Sequence, residues 1–158
     1  MRKQIVHEDT PKHPHEDDQI WLDLENLVQA ELTSEEPDHP LESALITDNE
    51  SGWRAQQPGK QMIRLRFDEP RRIRRIQLMF QEHERERTQE FVLRWSAGDS
   101  VSCREIVRQQ YNFSPPDSTC EVEDYAVDLD GLSMLELAII PDISGGEARA
   151  SLARLRLA

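Results

Sequence analysis

Residues 61–67, QMIRLRF, decide the fold: Ile63, Leu65 and Phe67 fall on one face and Met62, Arg64 and Arg66 on the other. A period of two is the pattern of a strand with one dry and one wet side. Moving outward, the pattern recurs. Residues 73–81 carry Ile76, Leu78 and Phe80 together; residues 90–96 carry Phe91, Leu93 and Trp95. Residues 121–129 place Tyr125, Val127 and Leu129 inward, and residues 134–140 place Leu135, Leu137 and Ile139 together. Residues 151–157 close the series with Ala153, Leu155 and Leu157, whereas residues 104–113 alternate without declaring an inward side.

Between these segments stand turn residues: DEPRR at 68–72, Ala97-Gly98-Asp99, Asp130-Gly131, a hairpin signal at Gly145-Gly146 and a proline loop at 114–119. Short strands at this spacing predict an all-β, antiparallel β-sandwich or jelly roll of about eight strands. Upstream, residues 19–32 read either as a helical stripe (Ile20, Leu24, Leu27, Val28) or as an alternating strand. The favoured order is a short helical or extended lead-in and a strand over 28–33. Pro37 and Pro40 then force an extended loop, and residues 41–46 form a small apolar turn or one helical turn.

The 158 residues suit one domain. Residues 1–17 combine Pro11 and Pro14 with His7, His13, His15 and several acids, and read as a disordered acidic tail; residues 18–158 read as a single sandwich domain. The KHPH histidines offer no fixed ligand geometry, so any metal they capture is adventitious. Net charge is −12 overall. Residues 1–50 hold 14 acidic and 3 basic side chains, whereas residues 54–108 hold 13 basic and 8 acidic. The acidic surface disfavours nucleic acid and anionic membranes as general partners. The arginines read either as intramolecular partners of the acids or as a dedicated anion surface. Cys103 and Cys120 are two cysteines behind an N-terminus without an apolar export core, which fits a soluble cytoplasmic protein.

No phosphate loop, HExxH helix or nucleophile elbow is present, and Cys and His do not fall at zinc spacing. His39 and His83 are the histidines left beyond the tail, and neither adjoins a nucleophile in sequence. A carboxylate pair such as Glu82 with Glu84 or Glu123 with Asp124 is the one route to glycosidase chemistry; a solvated charged face explains both as well. The expectation is therefore a protein that is not an enzyme. Candidate ligand contacts are Trp53 and Arg54, in a turn between Gly52 and Pro58, and Tyr111 and Asn112 at a strand end. Trp53 reads either as an exposed stacking platform, with Arg54 forking onto hydroxyls or anions, or as a plug in one end of the sandwich, with Arg54 paired to Glu42 or Asp48. For 111–113 the alternative is core packing of Phe113 and a side-chain turn at Asn112.

The order of features in ELTSEEPDHPLESALITDNESGWRA and GKQMIRLRFDEPRRIRRIQLMF resembles the opening of discoidin-type, galactose-binding-like domains. Gln61, Ile63, Leu65, Phe67 and Asp68, then Ile73, Ile76 and Leu78, occupy that pattern; EFVLRWSAGD and LARLRLA resemble its later and closing strands. The likeness spans 28–158. It implies an eight-stranded jelly roll that binds glycans, phospholipid headgroups or proteins through loops at one end, with carbohydrate the leading ligand class here. A related branch, the N-terminal domain of the single-strand-break repair scaffold, contacts repair proteins, so a protein-interaction scaffold is the alternative. Many members also hold a structural calcium near the first loop. Asp48 or Glu50 would serve there, but LARLRLA lacks the family's acidic residue, and the cysteines do not match its terminal disulfide. No other cofactor is implied. Oligomeric state is open.

Overall fold

A computed structural model describes residues 21–46, 51–98 and 102–158. The expected tail, Ile20, Asp48, Glu50 and the Asp99 corner lie outside these residues. The elements are α1 (Leu24–Leu27), β1 (Val28–Leu32), α2 (Glu42–Leu45), β2 (Trp53–Arg54), β3 (Gln61–Gln81), β4 (Arg87–Ala97), β5 (Arg104–Phe113), β6 (Cys120–Ile140), β7 (Ser151–Leu152) and β8 (Arg154–Leu157). All pairings between strands are antiparallel. The architecture is the β-sandwich that the alternation predicts, with the expected lead-in helical turn before β1 and one-turn helix before β2.

Two sequence expectations are corrected. DEPRR does not separate two strands, and neither does Asp130-Gly131: β3 and β6 each run through 21 residues. They bend together. Their ladder shifts register three times between Arg66 and Arg75, where Pro70 cannot donate to it, and opposite lies Gly131 at φ +71°. Before the bend β3 pairs with β1, and after it with β8. The later half of β6 pairs with β4, which in turn pairs with β5. Each long strand thus belongs to both layers, and Phe80 of one layer meets Phe91 of the other with ring centroids 5.1 Å apart. Around that contact Ile63, Leu65, Ile76, Leu78, Leu93, Leu137 and Ile139 are buried. β5 turns Val107, Gln109, Tyr111 and Phe113 inward.

The hairpin expected at Gly145-Gly146 is also absent. β6 and β7 do not pair; β7 instead joins β2, through Trp53↔Leu152 and Arg54↔Ser151. Gly52, at φ +66°, makes this joint possible: a Cβ there would lie 2.6 Å from the Leu152 carbonyl oxygen. Residues 151–157 therefore split at Ala153, whose amide donates to Met79 O at 2.9 Å.

The arginines of the central strands are held by one another's acids. At one register Glu31, Arg64, Glu136, Arg94 and Glu105 stand side by side across β1, β3, β6, β4 and β5. Arg64 Nε donates to Glu136 at 2.8 Å, and Arg94 approaches Glu136 at 3.5 Å and Glu105 at 4.0 Å. Arg66 pairs with Glu31, Arg108 with Glu105 and Glu90, and beyond the bend Arg72 holds Asp128 and Arg75 holds Asp124. Alternating charge across a sheet face is a cross-strand stabilising device. It favours the intramolecular reading of the arginines over a free anion surface. Cys103 and Cys120 are free and exposed. No described helix is long and apolar enough to cross a membrane.

Glu136 is the nearly buried member of the row, between two guanidiniums. Glu136→Ala is expected to cost about 1.5–3 kcal/mol in urea denaturation, the range for hydrogen bonds to charged groups. Glu31→Ala, at the exposed end, is expected to cost less than about 1 kcal/mol.

Candidate functional site

The turns at 33–46, 51–60, 82–86, 114–119 and 141–150 gather at one end of the sandwich, because Gln81 pairs with Cys120, Gln61 with Ile139 and Arg87 with Phe113. Here β2 is clamped from both sides. Glu36 N donates to Arg54 O at 2.9 Å and Arg54 N to His39 O at 3.2 Å, while Ala55 N reaches Ala150 O at 2.9 Å. The result is an open cleft of about 230 Å³, walled by His39, Arg54, Glu82, His83, Glu84 and Arg149. A second hollow of about 190 Å³ shares Arg54, Glu82, Glu84 and Arg149 with it and adds Arg85 and Glu147.

Each wall residue has a local reason for its place. Glu36, on the segment paired to β2, holds Arg149 at 2.9 Å and Arg54 at 3.7 Å. The His39 ring lies 3.3 Å from Ser51 O through Nδ1. Glu82 receives Arg87 Nε at 2.7 Å and the Glu84 amide at 3.1 Å, which fixes the 82–86 turn. Burial pushes the Glu82 carboxyl upward, but the Arg87 side chain and the Glu84 amide outweigh it and hold the group below its ordinary value. An acid held ionised in this way does not supply the proton that glycoside cleavage requires.

Of the four ligand contacts expected from sequence, Trp53 and Arg54 border the cleft. Trp53 follows the plug alternative: it is 1% exposed and its indole donates to Ser34 O at 3.1 Å. A ring so enclosed offers no stacking face. Arg54 pairs with Glu36, and Asp48, one of its two expected partners, lies outside the described residues. Tyr111 and Asn112 are not among the wall residues of the cleft. Tyr111 packs edge-on against Phe113 at 4.9 Å and its hydroxyl bonds Ser118 at 2.6 Å; Asn112 accepts from Thr88 across the strands at 2.8 Å. The structure also brings together His39, the consecutive Glu82, His83 and Glu84, and Arg149, from three separate segments. The histidines and the Glu82–Glu84 pair are visible in the sequence as titratable groups; Arg149 carries no sequence signal at all.

Beneath the cleft the core is polar. Arg87 is buried, its guanidinium donating to Pro141 O at 2.8 Å and Gln89 Oε1 at 3.2 Å and lying 4.7 Å from the Phe113 ring centroid. Gln89 Nε2 donates to Glu121 Oε1 at 3.2 Å. Glu121 is 1% exposed and its Oε2 receives no hydrogen bond. Burial, then the hydrogen bond and negative charge of Glu123, push the Glu121 carboxyl up to about 8, against the pull of Gln89 and Arg87. Tyr125 donates to Glu123 at 3.2 Å, and burial followed by that carboxylate raises the phenol as well. Among the described residues no group of three or more His, Cys, Asp or Glu is arranged to hold a metal ion. The loop acids expected to hold calcium lie outside those residues, and β8 contains no acid. The described residues do not fit the calcium that the resemblance implies.

No protein-family profile matches the chain, and no curated protein does. Solved structures do match. The family 32 carbohydrate-binding module of AlyQ, in complex with 4,5-unsaturated mannuronic acid, is 12% identical, with a TM-score of 0.63 over 89% of this chain and 98% of that one. The family 32 module of Clostridium perfringens NanJ, in complex with galactose, is 14% identical, with a TM-score of 0.62 over 87% and 96%. Reduced XRCC1, bound to the catalytic domain of DNA polymerase β, is 14% identical, with a TM-score of 0.58 over 84% and 94%. The fold is thus the β-sandwich that these modules share.

The Glu121 carboxyl gives the molecule a specific pH response. Its folded value lies above the ordinary 4.5, so the native state binds the extra proton. That contribution to stability is full below about 4.5 and is lost as pH rises toward about 8. Carboxylates held low, such as Glu31 and Asp124, act in the opposite sense and only in acid. Urea midpoints between pH 5 and 9 are expected to fall in the wild type and to stay nearly level in Glu121→Gln.

Proposed function

We propose that the chain is a non-catalytic recognition module whose ligand is a carbohydrate, held in the cleft beside β2. The observation that carries this reading is the wall itself: guanidinium, carboxylate and imidazole groups from separate segments converge on one hollow at the loop end of a rigid sandwich. Such groups match the paired donor and acceptor character of sugar hydroxyls. Arg54 and Arg149 donate, Glu84 accepts, and His39 and His83 do either according to tautomer. The sugar-bound modules that share this fold support the reading by analogy of architecture. Trp53 serves the site from beneath, by fixing β2. Free, exposed thiols are consistent with a reducing cytoplasmic setting.

A protein-interaction scaffold is the second reading, favoured by the XRCC1 likeness. The paired arginines of the sheet face offer it little free charge, so a protein partner would use the loop end.

A glycan array with purified protein tests the choice. Binding is expected, and Arg54→Ala and His83→Ala are each expected to weaken it about tenfold or more, as loss of a charge-assisted hydrogen bond does, with unchanged circular dichroism. Trp53→Ala is expected to lower Tm and is not a test of contact. A silent array with folded protein would discard the carbohydrate reading and leave the scaffold.

A further inference from the structure

The two hollows at the loop end adjoin, for Arg54, Glu82, Glu84 and Arg149 wall both. At about 230 and 190 Å³ each falls short of the roughly 300 Å³ at which small-ligand clefts begin; joined, they exceed it. Arg54 and Arg149 form the saddle between them. Both guanidiniums are drawn to Glu36 from one side, at 3.7 and 2.9 Å, which fixes their separation and orientation.

The charge along the groove is balanced. Arg54, Arg85 and Arg149 face Glu82, Glu84 and Glu147. Walls that offer guanidiniums and carboxylates in equal number and carry no net charge solvate hydroxyls well, and favour no anionic ligand. On these grounds, and resting on the carbohydrate reading, we propose that the ligand is a neutral saccharide of at least two units, laid across the Arg54–Arg149 saddle with one unit in each hollow. His39 and His83 flank the first unit; Arg85 and Glu147 hold the second.

Titration calorimetry tests this with lactose, cellobiose, maltose and chitobiose, each beside its own monosaccharide, together with digalacturonate. At least one neutral disaccharide is expected to bind about tenfold or more tightly than its monosaccharide. Glu147→Gln, which touches only the second hollow, is expected to remove most of that gain and leave monosaccharide affinity unchanged. His83→Ala, in the first hollow, is expected to weaken both. Equal affinity for mono- and disaccharides, or digalacturonate binding more tightly than every neutral sugar, would overturn the two-unit neutral ligand while leaving the carbohydrate site standing. Silence of this panel together with the array would remove the carbohydrate site itself.

Discussion

The shared bend of β3 and β6 is the constraint on which the molecule depends. Two 21-residue strands stay paired through a corner, losing register between Arg66 and Arg75 beside Gly131, and so carry the chain from one layer to the other. Without that corner there is no second layer to bring Phe80 against Phe91, and no common end at which residues 33–46, 51–60, 82–86 and 141–150 meet. The register shifts at the corner also reset the phase of the side chains: Ile63, Leu65 and Phe67 before it and Ile76, Leu78 and Phe80 after it differ in parity, yet all enter the same core.

The cleft inherits its rigidity from that core. Trp53 anchors β2 from beneath, Gly52 lets β2 approach the Leu152 backbone, and Glu36 sets the two arginines of the saddle. A chain of hydrogen bonds then runs inward from Glu82 through Arg87 and Gln89 to Glu121. The 82–86 turn is therefore tied to a buried polar cluster, which ends at the Glu121 carboxyl beside Glu123. Buried polar groups of this kind impose specific geometry on their neighbours at an energetic cost. Here the geometry imposed is that of one cleft wall.

Much of the fold was legible because a half-buried strand must alternate. β1, β4, β5 and the two halves of β3 and β6 all follow from that rule, while the one-turn helix after Pro40 was read from a short apolar segment behind two prolines. Turn chemistry was the weaker guide. DEPRR and Asp130-Gly131 carry the same residues whether a chain reverses or merely bends, and only partner strands decide between them. Gly145-Gly146 misled for the same reason: its flanking segments find other partners, β7 joining β2. Trp53 could be read either way, since a tryptophan among glycine and proline is equally at home as a platform or a plug; its burial depends on how closely β2 is drawn to β7.

The sequence by itself determined the class of fold, the absence of a recognisable catalytic motif and the excess of arginine in the middle strands, because these are properties of local order and composition. Tertiary structure alone decided that the arginines spend their charge on Glu31, Glu136 and Glu105, and that His39, His83 and Arg149 share a wall with Arg54. The physical reason is range. Alternation is written in neighbours two residues apart, whereas a charge row or a cleft is assembled from residues that only the register of long strands brings within a few ångströms.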